Sequence, residues 1–210
     1  MKPRDLLCQN LEENVSPYLR SQGFTFSRAQ ISFLRKQDFA RQEIHFSLSK
    51  WNTEDDCSFW TMWGVSSTAY TKWHLQEWGE KPVNNALGGC ADWNIPGWPR
   101  QPGDEHFKLT RSRRDIDVMK LLVDAIGAQG LPYLQQISTW SGAAQQFLKE
   151  GWMFGKACDF FLIAGQRDRA IEALYLGLDK YELQGAPDQL LELPQIKARL
   201  EKYKKVDVSQ

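Results

Sequence analysis

The side chains best suited to general-base, nucleophilic or metal chemistry are His45, His74 and His106 together with Cys8, Cys57, Cys90 and Cys158. Their spacing assembles none of it. Zinc and related metals take ligand pairs a few residues apart, as in C-x-x-C or H-x-x-x-H, and neither spacing occurs. No phosphate-cradling glycine loop is present. Ser66-Ser67-Thr68 lacks the G-x-S-x-G elbow, and Gly88-Gly89-Cys90 lacks the fixed partners that activate a thiol. The best general base is His106 in Asp104-Glu105-His106, which with Asp92 could form a site only if the fold gathers dispersed residues. The reading is therefore of a chain with no catalytic residues, metal or cofactor, and with four thiols packed as small hydrophobes.

Tryptophan is the other feature with chemical consequence. Seven of the nine fall between Trp51 and Trp98, a density that composition does not explain. A tryptophan carries a large apolar surface and one N–H that needs an acceptor, so it serves cores and interface hot spots alike. The anchors expected on a contact surface are Trp73, Trp78, Trp93 and Trp98, in the segment 71–107. Beside them Arg111, Arg113 and Arg114 form the one basic cluster, suited to an acidic partner group.

The elements that must position these residues follow from periodicity. Leu7, Leu11, Val15 and Leu19 recur at helical spacing up to Gly23, with Pro17 expected to kink the helix or restart it after Ser16. The period then changes to two: Ile31, Phe33 and Arg35; Ile44, Phe46 and Leu48; Phe59, Thr61, Trp63 and Val65. Three or four antiparallel strands result, with Asn52 to Asp56 as a hairpin linker and the Trp60/Met62 strand central. Residues 72–104 are rich in Gly, Pro, Asn and Trp, a broken pattern whose length marks the segment as functional or partly helical. Helical spacing returns after Asp115, an expected cap, in a helix closing at Gly127 or Gly130. Further helices start at Ser141 and end at Gly151, Gly165 and near Tyr203. Ala157-x-x-Phe160 with Gly165-x-x-x-x-Ala170 resembles a single tetratricopeptide hairpin, too few for a repeat array. The fold class is α+β: an antiparallel sheet covered by an N-terminal helix, then a helical bundle. The expected division is 1–110, the α+β part with the Trp-rich segment, and 111–210, the helical part.

Lys plus Arg equals Asp plus Glu at 26 each, which speaks against the strong single-signed field of a nucleic-acid or membrane-surface binder. No apolar run approaches the ~20 residues of a membrane span. The opening Met1-Lys2-Pro3-Arg4-Asp5 lacks an apolar leader, so a cytoplasmic protein is expected.

Several short motifs in order resemble a bacterial family catalogued as a domain of unknown function, numbered 4304. They are a leading helix running into Gly23-Phe24, Phe33-x-Arg35, Ser49-Lys50-Trp51-Asn52, Phe59-x-x-x-Trp63-Gly64-Val65 and Gly130-Leu131-Pro132-Tyr133-Leu134, covering roughly residues 4 to 180. The resemblance implies an α+β domain and assigns no catalytic residue. Small bacterial families of this kind often look like immunity proteins, which is an analogy of fold rather than of site. The leading functional expectation is a protein that binds another protein, most concretely an immunity protein blocking a toxin. Its rivals are an enzyme built on Asp92, Glu105 and His106, and a scaffold acting through the helical hairpin.

Overall fold

The structure, a computed structural model, describes residues 1–100, 106–183 and 189–207, with side chains for 1–100, 106–182 and 192–203. Glu105 and Asp104, raised above as site residues, lie outside the described residues. The chain divides into two compact units. The first comprises Met1–Thr68 and Gly89–Gln135, the second Ala69–Gly88 and Gln136–Gln210. Residues 111–135 thus group with the sheet, whereas a boundary at 110 had been expected.

In the first unit, helix α1 (Pro3–Asn10) does not break at Pro17. It widens through Leu11–Val15 and resumes as α2 (Ser16–Ser21). Proline has no amide hydrogen to give the preceding turn, and the Ser16 N–H reaches back five residues to the Leu11 carbonyl, so the apolar stripe stays in register. Leu7, Leu11, Val15 and Leu19 are all fully buried along it. Gly23, at φ +82°, closes the helix, with its own N–H on the Arg20 carbonyl and the Phe24 N–H on that of Leu19.

Six antiparallel strands follow: β1 (Thr25–Ser27), β2 (Ser32–Gln37), β3 (Ala40–Leu48), β4 (Cys57–Ser66), β5 (Ala86–Ala91) and β6 (Phe107–Leu109). Their order is β1-β2-β3-β4-β5, with β6 also beside β4, so β4 is central as its apolar character predicts. Period-two alternation puts one phenylalanine on the covered face of every strand but β5. Phe26, Phe33, Phe46, Phe59 and Phe107 run across β1, β2, β3, β4 and β6 with successive ring centroids 4.7, 5.9, 6.1 and 5.7 Å apart. This ladder is the spine of the core, because cross-strand aromatic neighbours both bury area and fix register. Helix α1 packs on β4, and α4 (Asp115–Ala125) packs on β6.

Two helix boundaries depart from expectation. Asp115 does not cap its own helix; its carboxylate turns back to accept the Thr110 and Arg111 N–H groups, both at 2.9 Å, and so fixes the loop before α4. Nor does α4 close at Gly127 or Gly130. It passes through a wide turn, Ile126–Gly130, into α5 (Leu131–Ile137), and Gly130 is a packing glycine rather than a stop.

The second unit holds most of α3 (Thr68–Trp78), then α6 (Trp140–Glu150), α7 (Phe154–Ile163), α8 (Arg167–Leu178) and α9 (Gln189–Asp207). The 72–104 segment is therefore partly helical, through the end of α3, and also contains β5; sequence patterning placed neither element. Thr139, not Ser141, caps α6, its Oγ1 accepting the Gly142 N–H at 3.0 Å. Gly151 and Gly165 end α6 and α7 in the left-handed region, as read from sequence. Ala157 and Ala170 are fully buried where α7 and α8 pack as an antiparallel pair. At the polar centre of this unit Asp159, fully buried, accepts from Arg199 Nε (2.9 Å) and Nη2 (2.7 Å) and from the Tyr70 hydroxyl (3.0 Å).

Candidate functional site

Strand β4 presents its residues alternately to the two faces of the sheet. Phe59, Thr61, Trp63 and Val65 point into the core; Trp60 and Met62, of opposite parity, do not. Met62 is 38% exposed, an unusual position for a large apolar side chain in a central strand. Beside it Trp60 makes a three-ring cluster with His106 (4.9 Å between centroids) and Trp93 (6.3 Å), and the Trp93 and His106 rings lie 5.8 Å apart. Trp93 itself is 47% exposed. A contiguous aromatic and sulfur-bearing patch thus stands on the outer face, of the composition that marks contact surfaces.

The device that turns Trp93 outward is Asp92. One edge of β4 is shared by β6 at its start and β5 at its end, which leaves the Thr61 N–H without a ladder partner between them. Asp92, at the end of β5, fills the gap: its Oδ2 accepts the Thr61 N–H at 2.7 Å and the Thr61 hydroxyl at 3.0 Å. Thr61 Oγ1 in turn accepts from Trp63 Nε1 at 2.7 Å. Burial raises the Asp92 carboxyl above its usual range, while the Thr61 donors, the Trp93 N–H and the nearby His106 act against that rise. The short helical turn Asp92–Asn94 then carries Trp93 to the outer face. Trp98 goes to the covered side, edge-on to Trp63 (5.4 Å) and Phe107 (6.4 Å).

Asp92, Trp93, Trp98, Arg100, His106 and Phe107 line a shallow cleft at this edge. The structure brings Asp92 and His106 to one place, as the dispersed-site reading requires. No direct hydrogen bond or ion pair joins them among the described residues, and Asp92 is held by Thr61. His45 stands opposite Met62 across β3–β4. His74 is buried with Nδ1 2.8 Å from the Glu80 carbonyl; a carbonyl only accepts, so Nδ1 carries the proton. Burial, with Asp56 and Asp115 adding to it, pushes the Cys57 thiol up to about 12, far from nucleophilic. Among the described residues no cluster of three or more His, Cys, Asp or Glu is placed to hold a metal ion, and no helix is long and apolar enough to cross a membrane.

The remaining sequence-derived anchors fall elsewhere. Trp73 and Trp78 belong to the second unit. Trp73 is half-buried and lies parallel to Tyr70 at 6.4 Å. Trp78 is flanked by Arg199 (4.7 Å) and Lys202 (4.4 Å), and its Nε1 is buried without a partner among the described residues. Arg113 and Arg114 are exposed. Arg111 sits at φ +57° and its guanidinium reaches the Met1 carbonyl, so it also ties down the N-terminus. In the sequence Trp60 and Met62 served to mark β4 as central and were not named as contact residues; the parity of β4 was the signal that could have found them. Comparisons with protein-family models, with curated proteins and with solved structures return no match.

Proposed function

We propose that this chain is a protein-binding protein, most concretely an immunity protein that covers a bacterial toxin, and that its contact surface is centred on Trp93, Trp60 and Met62. One observation carries the reading: an indole nearly half exposed, braced by Trp60 and His106, next to an exposed methionine in the middle of a sheet. Ring contacts fix the rotamer of such an anchor before any partner arrives, which lowers the entropic cost of binding. The Asp92–Thr61 link that sets its backbone acts to the same end.

Partner capture from the native host, followed by affinity and melting measurements on tryptophan variants, tests the proposal. Trp93→Ala is expected to weaken the captured complex by about 2 kcal/mol or more with little change in melting temperature. Trp98→Ala, which opens the core beside Trp63, is expected to lower the melting temperature instead. Equal binding by wild type and Trp93→Ala overturns the assignment of this surface.

A further inference from the structure

The same outer face carries cations that have no acidic partner among the described residues. Lys36 on β2 and Arg41 on β3 are direct cross-strand partners, so both side chains emerge on one face, and both are exposed. Like charges directly opposite one another destabilise a sheet. Neither has an ion-pair partner among the described residues, whereas Lys108 on the same face is paired with Asp56 at 3.3 Å. The one acidic strand residue on that side is Glu43, half-buried and opposite Leu34. Beyond the aromatic centre, Arg100 is exposed at the lip of the cleft that Trp93 lines. Cations therefore flank the apolar patch: Lys36 and Arg41 beside the β2–β3 turn, Arg100 near Trp93.

We infer that the outer face of the sheet docks an acidic segment of another protein, with an apolar side chain seated against Trp60, Met62 and Trp93 and carboxylates meeting Lys36, Arg41 and Arg100. The inference rests on the protein-binding reading and adds the chemistry of the partner. The Lys36–Arg41 juxtaposition weakens the free fold and is relieved when a carboxylate comes between the two cations, which is charge complementarity of the kind that sets specificity and association rate. The balanced charge of the whole chain is no obstacle, because the relevant field is local to one face.

The probe is a displayed library of random peptides, each about a dozen residues, selected against the intact immobilised chain. Enriched peptides are expected to be acidic with at least one large apolar residue, and to lose binding to Trp93→Ala. Their affinity should fall roughly tenfold for the double variant Lys36→Glu/Arg41→Glu and weaken with added salt. Lys36→Glu alone places opposite charges across β2–β3, so its melting temperature should hold or rise, and weaker binding by this variant cannot be ascribed to unfolding. Trp93-dependent peptides that are neutral or basic, or that ignore the charge reversal, overturn the acidic partner while leaving the protein-binding reading intact. Enrichment of nothing overturns both. A single-stranded oligonucleotide that binds this face more tightly than every selected peptide makes the partner a nucleic acid and also overturns the inference.

Discussion

The indole of Trp63 lies against the backbone of Gly130, so closely that a Cβ at that glycine would collide with Cη2 and come within 2.6 Å of both Cζ2 and Cζ3. The glycine sits in the wide turn joining α4 to α5, and the tryptophan is buried in the central strand with its N–H on Thr61. One contact thus docks the helical layer of the first unit onto the sheet. The residue that reads in sequence as a helix terminator is a seat for the largest ring in the core.

Gly130→Ala should therefore destabilise the protein despite the better helix propensity of alanine. The propensity gain is about 1 kcal/mol, and overpacking a core contact typically costs about 1–3 kcal/mol. Because the intruded atoms belong to a buried indole wedged between strand and helix, the clash should win. Urea unfolding checks the sign. Combining it with Trp63→Leu should recover part of the loss, and strictly additive effects would show that the two residues do not meet.

Asp92→Ala is expected to destabilise by removing the acceptor that bridges the gap in the β4 ladder. Two buried Thr61 donors, the N–H and the hydroxyl, lose their partner, and an unsatisfied buried group costs about 1–3 kcal/mol. Denaturant unfolding gives the loss directly. Amide exchange at Thr61 should accelerate more than at Phe46, its Cα partner on β3. Uniform acceleration along the strand would assign Asp92 a general rather than a local role.

How far the sequence carried depended on how local the deciding physics was. The phenylalanine ladder was legible because alternation of Phe33, Phe46 and Phe59 with polar residues depends only on the pleat. Strand β5 was not, because Ala-Leu-Gly-Gly-Cys-Ala has little strand propensity and pairs only because Gly89 can press against the Trp63 carbonyl. Helix α3 was hidden by aromatic residues that read as irregular. The anchors were partly legible: Trp93 was named from density alone, while Trp98 and Trp78, named by the same argument, have their N–H groups buried. Density cannot separate these cases, since the face each ring takes is set by the turn at Asp92 and by contacts remote in sequence.

In the second unit, removing one member of the Asp159–Arg199 pair should cost more than replacing both. Arg199→Met strands a fully buried carboxylate that keeps, among the described residues, only the Tyr70 hydroxyl as a side-chain donor. Breaking a buried pair in this way costs about 3–5 kcal/mol. Asp159→Leu with Arg199→Met removes both charges and should recover much of that stability. A double variant as unstable as the sum of the singles would mean that the pair is not coupled.

Lys156 makes the pH dependence of the second unit separable. Its amine donates to Asn84 Oδ1 at 2.8 Å, stands 5.3 Å from the Tyr70 ring centroid and 5.8 Å from that of Phe160, and is held down at about 8 by burial. The unfolded chain has an ordinary lysine near 10.4. Between these values the unfolded state binds more protons than the folded state, so this group makes stability rise with pH; below about 8 both states are charged and the burial cost is constant. Tyr70 and Cys158, whose own values burial pushes upward, act in the opposite direction, but they do so in wild type and in Lys156→Met alike. The variant should therefore melt above wild type near pH 7, and the gap should narrow steadily towards about pH 10. A gap that stays constant over that range would mean that Lys156 keeps its charge in the folded protein and that the variant acts through packing alone.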